Sequence, residues 1–130
     1  MLSSLYIHAC VYVNLSSEEP MAQKVMRPEL LDLVADRFKA LSDRARLSLL
    51  QELRGGSCTV NGLVAATGMG QANVSRHLAI LFNHGLVSRE RDGVYVRYEL
   101  ADADVLTLCE LVCGRLEREL AERKQVISGR

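Results

Sequence analysis

Two groups of side chains in this 130-residue chain have types and spacings that can do chemistry. The first is a polar run, Gln71, Ala72, Asn73, Ser75, Arg76 and His77, inside VNGLVAATGMGQANVSRHLAIL from Val60 to Leu81. Amides, hydroxyls, guanidinium and imidazole are the groups that pair with base edges and phosphate oxygens. The second is Cys109-x-x-x-Cys113. At i and i+4 of a helix both sulfurs lie on one face about one turn apart, which suits a grip on one soft ion or a reactive thiol beside its resolving thiol. Cys58 is a third candidate, beside Gly-Gly-Ser. The competing reading for Cys109 and Cys113 is inert packing, because free cysteine behaves as a small hydrophobe. Cys10 carries no assigned role.

The polar run needs a scaffold. Val74, Leu78 and Leu81 fall at i, i+4 and i+7, the spacing of one buried helix face. A shorter apolar helix with Leu63, Val64 and Ala66 precedes it, and Gly68 stands where the chain must turn sharply. Two short helices about a glycine-containing turn read as a helix-turn-helix whose second helix enters a major groove; a plain αα-hairpin is the alternative. The second helix stops at Gly85, a natural left-handed cap. Then Leu86–Arg91 and Val94–Leu100 alternate about Asp92-Gly93, a strong hairpin signal. Val94, Val96, Tyr98 and Leu100 are expected on one face, and Tyr95, Arg97 and Glu99 on the other. A two-stranded ribbon in this position is a wing, with Arg89, Arg91 and Arg97 placed for backbone phosphate or the minor groove.

The fold class expected is mainly α with a β-hairpin wing (α+β). Leu30, Leu33, Val34, Phe38 and Leu41 mark a first helix that Pro28 suits at its start. Ser42-Asp43 caps a second, Arg44 to Arg54, with Leu47, Leu50 and Leu53 inward. Ala101-Asp102-Ala103-Asp104 opens a last helix of roughly twenty residues, about 30 Å long. Its apolar stripe, Val105, Leu108, Cys109, Val112, Cys113, Leu116 and Leu120, is hard to bury on so small a domain, so a partner helix and a homodimer are expected. The domain is expected over residues 25–125, between a leader (1–24), disordered or artefactual, whose SSEEPMAQ has linker composition, and a C-terminal tail (126–130) in which Ser128-Gly129-Arg130 frays. Met21 or Met26 is an alternative start; otherwise the leader packs on the domain or extends a dimer contact.

Sixteen basic residues balance sixteen acidic ones, so net charge carries no nucleic-acid signal. From Gln71 to Tyr98, however, four arginines stand against two acids, and affinity must lean on geometry and dimerisation. No apolar run is long enough for a spanning helix, and the first residues lack the basic start of a secretory signal. A cytoplasmic address is expected, with no membrane partner and free thiols in place of a disulfide framework. An enzyme is not expected: no nucleophile–base pair, carboxylate pair or phosphate loop has usable spacing, and Gly68-Met69-Gly70 is explained by the turn.

Three segments carry a resemblance. ALSDRARL (Ala40–Leu47), VSRHLAIL (Val74–Leu81) and GLVSRERDGVYVRYEL (Gly85–Leu100) are similar to the ArsR/SmtB family of bacterial winged-helix repressors, over roughly residues 29–120. Arg44 departs from the proline common there. The resemblance implies a homodimer built from the first and last helices, which puts Leu30, Val34, Val105, Leu108, Val112 and Leu116 in the interface. It implies double-stranded operator DNA as partner, read by Gln71 to Asn83 with the wing in support, and release by a metal or metalloid ion, a reactive sulfur species or an oxidant.

The family's sensing motifs match poorly. A Cys-x-Cys site before the turn would fall on Thr59 and Asn61, with Cys58 one position off. An Asp/His zinc site on the last helix finds Asp102 or Asp104 but no histidine after them. The resemblance leaves two thiol schemes: a three-thiolate site for arsenite or a soft cation from Cys58, Cys109 and Cys113, or a disulfide or polysulfide between Cys58 and the last helix. No cofactor is obligatory. The expected function is a homodimeric transcriptional repressor released by a thiol-reactive inducer. The alternatives are a winged-helix regulator without a cysteine sensor and a winged-helix protein–protein interaction module.

Overall fold

The computed structural model describes residues 25–129; the leader reading, Cys10 and His8 lie outside the described residues. The chain divides between Asp36 and Arg37 into two compact parts. In the first, helix α1 (Pro28–Leu41) begins on proline with Glu29 in its first turn, matching the fixed φ and the dipole of a helix start.

The second part holds the end of α1 and every later element: α2 (Arg44–Glu52), a 3-10 turn (Leu53–Gly55), β1 (Cys58–Thr59), α3 (Val60–Thr67), α4 (Gln71–Asn83), β2 (Val87–Asp92), β3 (Tyr95–Leu100) and α5 (Asp104–Ser128). Asp43 caps α2 by accepting from the Arg46 amide at 3.2 Å. Thr59 caps α3 in the same way through Gly62. Gly68 closes α3 at φ 72° and Gly85 follows α4 at φ 70°, a region where an L side chain is strained. The two turns that aim α4 are therefore set by local chemistry.

The core gathers Leu49, Leu50, Leu53, Leu63, Val74, Leu78 and Leu81, all essentially inaccessible to solvent, with Leu86, Val87, Tyr98 and Val105 around them. The inward face of α2 differs from expectation. Leu49 and Leu50 are buried while Leu47 is 40% exposed, and the last turn tightens to 3-10 geometry at Leu53. Positions 46, 49, 50 and 53 fall at i, i+3, i+4 and i+7, one helix face, so the buried leucines are 49, 50 and 53 in place of 47, 50 and 53.

The wing also departs from its sequence reading in register and in strand number. Asp92 pairs with Tyr95, leaving Gly93-Val94 as the turn. Gly93 has φ 62° and among the described residues no non-glycine residue has positive φ, as a turn with glycine at its first central position requires. Val94 therefore sits at the tip, 84% exposed, outside the buried face formed by Tyr98 and its neighbours. A third strand joins the sheet, in the order β1-β3-β2: Cys58 pairs with Tyr98 and Thr59 with Arg97. Two residues are too short to show alternation in sequence, and only the fold brings them to the edge of β3.

Helix α5 has 25 residues and runs to Ser128, about 37 Å at 1.5 Å per residue. Val105 is buried in this chain's own core, and Leu108, partly buried, packs against that core. Val112, Leu116 and Leu120 are more than half exposed, as are Leu111, Val126 and Ile127. Of the two first-helix positions, Leu30 is 47% exposed and Val34 half-buried.

Truncating Leu78 to alanine is expected to cost about 2–5 kcal/mol, and the same change at Leu47 about 1 kcal/mol or less. Urea unfolding of the two variants checks this; equal losses would sink the assignment of the α2 inward face.

Candidate nucleic-acid interface

Helix α4 separates its side chains by face. Val74, His77, Leu78 and Leu81 point into the core; Gln71, Ala72, Asn73, Ser75 and Arg76 are exposed. Arg76 donates through Nη2 to Asn73 Oδ1 at 2.7 Å, one turn back on the same face, which preorganises a guanidinium and an amide beside each other. Gly70 precedes the helix with no side-chain cap, so the first amides of α4 are capped by no side chain. Gln71 shares a shallow groove with Thr59, Val60, Asn61 and the wing residues Val94, Tyr95 and Val96. The start of α4 and the tip of the wing thus border the same surface. Tyr95, 58% exposed there, was not singled out in the sequence; the one-residue difference in turn position hid its place at the tip.

His77 needs correction. It is 7% exposed, and its Nδ1 accepts from Arg46 Nη1 at 3.3 Å; it faces inward, off the exposed face on which the sequence put it. Position 77 is one turn from Val74 and adjacent to Leu78, and that 3.6-residue geometry puts it on the buried side.

The wing arginines fall into three different settings. Arg91 is exposed. Arg89 lies over the Phe82 ring, 4.0 Å from its centroid, a cation–π contact that ties the wing to the end of α4. Arg97 is half-buried and bonded: Nε donates to Asp92 Oδ2 at 3.2 Å and Nη1 to the Ser57 carbonyl at 3.3 Å. It sits beside β1, away from the tip, and holds the sheet together. Sequence could not show this, because Ser57 lies forty positions away.

The thiols are not assembled into one site. Cys58 is half-buried on β1, Cys109 half-buried and Cys113 exposed on α5. Among the described residues no group of three or more His, Cys, Asp and Glu is placed to hold a metal ion. The three-thiolate site is therefore not assembled among the described residues of one chain, and Cys58 stands on the strand paired with Tyr98. Cys113 donates to Glu117 Oε1 at 3.5 Å. That hydrogen bond, then the Glu117 charge, then slight desolvation push its thiol above the usual range, which keeps it protonated and slow as a nucleophile. Near the same stretch Arg54 pairs with Glu110, linking the end of the 3-10 turn to α5.

Winged helix-turn-helix proteins are the class this arrangement defines. Residues 43–89 match the model of the bacterial regulatory protein, arsR family. The arsenical resistance operon repressor of Bacillus subtilis is 36% identical over 91 residues, covering 67% of this chain and 86% of the relative. A probable mercury resistance operon repressor of Streptomyces lividans is 41% identical over 80 residues, 62% of this chain and 64% of the relative. The solution structure of a homodimeric winged helix-turn-helix DNA-binding domain from Mycobacterium bovis, a fragment of a possible ArsR-family transcriptional regulator, matches with TM-score 0.66 and 32% identity over 82% of this chain and 95% of that one. This chain belongs to the ArsR family. It spans just under two thirds of the length of the mercury relative. The family consists of transcriptional regulators and not enzymes, as the sequence led us to expect.

Two outcomes follow from the ionisable groups. The Asp43 carboxyl is held below its ordinary value, first by the Arg46 amide, against a desolvation that opposes it, with help from the Arg46 charge, the Ala45 amide and His77. A carboxyl lowered by folding stabilises the fold above the unfolded-chain value, near pH 4, and loses that contribution as pH falls through the folded value. Asp43→Asn keeps a good cap but binds no proton there, so its urea midpoint should fall less steeply than that of the wild type as pH drops below about 4. For the thiol, Glu117→Gln should speed iodoacetamide labelling of Cys113 near neutral pH; an unchanged rate would remove Glu117 as the cause.

Proposed function

We propose that this protein is a homodimeric transcriptional repressor that reads operator DNA with the exposed face of α4 and is released by a thiol-reactive inducer acting on α5. The observation that carries the first half is the two-sided α4: Val74, Leu78 and Leu81 are sealed in the core while Gln71, Asn73, Ser75 and Arg76 stand clear. Those side chains have the donors and acceptors for base edges, and Arg76 with Asn73 already forms a flat polar pair of the kind that recognises a base pair from the major groove. Arg91 reaches backbone phosphate, and Arg89, steadied on Phe82, sets the wing's angle. The Mycobacterium bovis domain is homodimeric by description, and the exposed Val112, Leu116 and Leu120 supply an apolar helix face for a second copy.

The inducer half rests on chemistry and on kinship. Two relatives are repressors of arsenical and mercury resistance operons, both concerned with thiol-seeking elements. Cys109 and Cys113 are one turn apart on the helix offered to the second copy, so pairing of two α5 helices brings up to four thiols to one place. Glu117 keeps Cys113 protonated until a soft ion displaces the proton. A sensing role for Cys58 is weaker, since its thiol points toward the Gly56 carbonyl at 3.7 Å.

Anisotropy with a labelled duplex from upstream of the gene tests both halves. Arg76→Ala is expected to weaken binding by about 1–3 kcal/mol, and Arg91→Ala to weaken it for all sequences alike with a shallower salt dependence. The double variant Cys109→Ser, Cys113→Ser should bind as the wild type does and no longer dissociate with arsenite, mercuric ion or polysulfide. Retained release in that variant would remove the α5 sensor.

A further inference from the structure

The residue that aims α4 lies outside the helix. Arg46, in the first turn of α2, has a side chain only 13% exposed, and all three nitrogens of its guanidinium have partners. Nε donates to the Ala40 carbonyl and Nη2 to the Lys39 carbonyl at 3.2 Å. Nη1 donates to His77 Nδ1 at 3.3 Å and lies 3.7 Å from Asp43 Oδ2. The two carbonyls belong to the last turn of α1, where intrahelical partners run out and a cation is favoured. Asp43 caps α2. His77 stands in the buried row of α4 between Val74 and Leu81. One planar fork therefore joins the end of α1, the start of α2 and the middle of α4.

We infer that Arg46 and His77 are a positioning pair for DNA reading: Arg46, anchored on α1 and α2, sets the rotation of α4 through His77 Nδ1, and neither residue touches DNA. The apolar neighbours of His77 hold α4 against the core but are tolerant of small rolls, because dispersion contacts are non-directional. A hydrogen bond between two nearly buried groups is directional, and breaking it strands a charged donor without an acceptor. A roll of α4 that lost it would swing Asn73 and Arg76, four and one positions from His77, across the exposed face. Because Arg46 donates to Nδ1, the imidazole proton sits on Nε2. Lysine cannot replace Arg46, since a single ammonium cannot serve three carbonyl and ring acceptors in one plane.

The inference rests on α4 reading DNA, and the test separates the two. The wild type, His77→Ala, His77→Asn, Arg46→Lys and the Arg46→Lys, His77→Ala double variant are titrated with the upstream duplex by anisotropy, each alongside its thermal melt. His77→Ala should bind about tenfold more weakly or worse at temperatures where it is fully folded. His77→Asn, whose Oδ1 can stand near the place of Nδ1, should recover most of that loss. The losses of Arg46→Lys and His77→Ala should fail to add in the double variant, and the salt dependence should not change, since phosphate contacts are kept. On the free protein, proton–nitrogen correlation spectra of the imidazole should show the Nε2–H form in the wild type and a mixture in Arg46→Lys, a signature that loss of packing alone would not produce. A folded His77→Ala that binds as the wild type does, equal losses for alanine and asparagine, or additive losses would each overturn the pair while leaving DNA reading in place. A wild type that binds neither this duplex nor unrelated duplex at low salt would overturn both.

Discussion

The burial of Val74, Leu78 and Leu81 is the contact on which the rest of the structure depends. These side chains lock one side of α4 onto α2 and α3 through Leu49, Leu50 and Leu63, so that the opposite side is presented to solvent with a defined composition. A helix of thirteen residues has little stability alone; it exists as a rigid reading edge because this apolar row is sealed. The glycines at 68 and 85 end the neighbouring segments in a left-handed conformation, and the row then leaves α4 little choice of position. Directional groups refine that position, with the Arg46 fork on one flank and the Arg89–Phe82 stack on the other.

Charge plays its part locally. Acidic and basic residues balance over the whole chain, and the arginines of the winged region are divided between structure and display. Arg97 and Arg46 are spent on internal carbonyls and carboxylates; Arg76 and Arg91 remain outward. A surface with so few outward cations gains modest counterion release on binding DNA, so the shape of that surface matters more than its bulk charge. The apolar face of α5 is left uncovered among the described residues, an exposed patch of the kind that marks an interaction surface.

Helix α5 joins two properties in one element. Its first turns enter the core through Val105 and Leu108, while its later turns expose leucine, valine and the Cys113 thiol. A perturbation at the thiols therefore sits on the same rigid helix as a core anchor, and the Arg54–Glu110 pair connects that helix to the segment just before β1. A surface ion pair contributes little energy; the continuous helix from Val105 to Cys113 is the stiffer link.

Sequence by itself determined the identity of the main elements and most of the α4 face, because helical periodicity, caps at Asp43, Gly68 and Gly85, and a hairpin turn at Gly93 are all encoded within a few residues of where they act. It also determined that Cys109 and Cys113 share a helix face. Tertiary structure decided what depends on distant partners. His77 became an internal acceptor because Arg46 reaches it from thirty-one positions away, and Arg97 became a sheet tie because Ser57 lies across from it. The strand at Cys58 exists only as a partner of Tyr98, and packing put Leu49 inside where Leu47 was expected. Periodicity reports which side of a helix is apolar; it does not report which polar group on that side finds a buried partner, since the partner's distance along the chain has no imprint on local pattern.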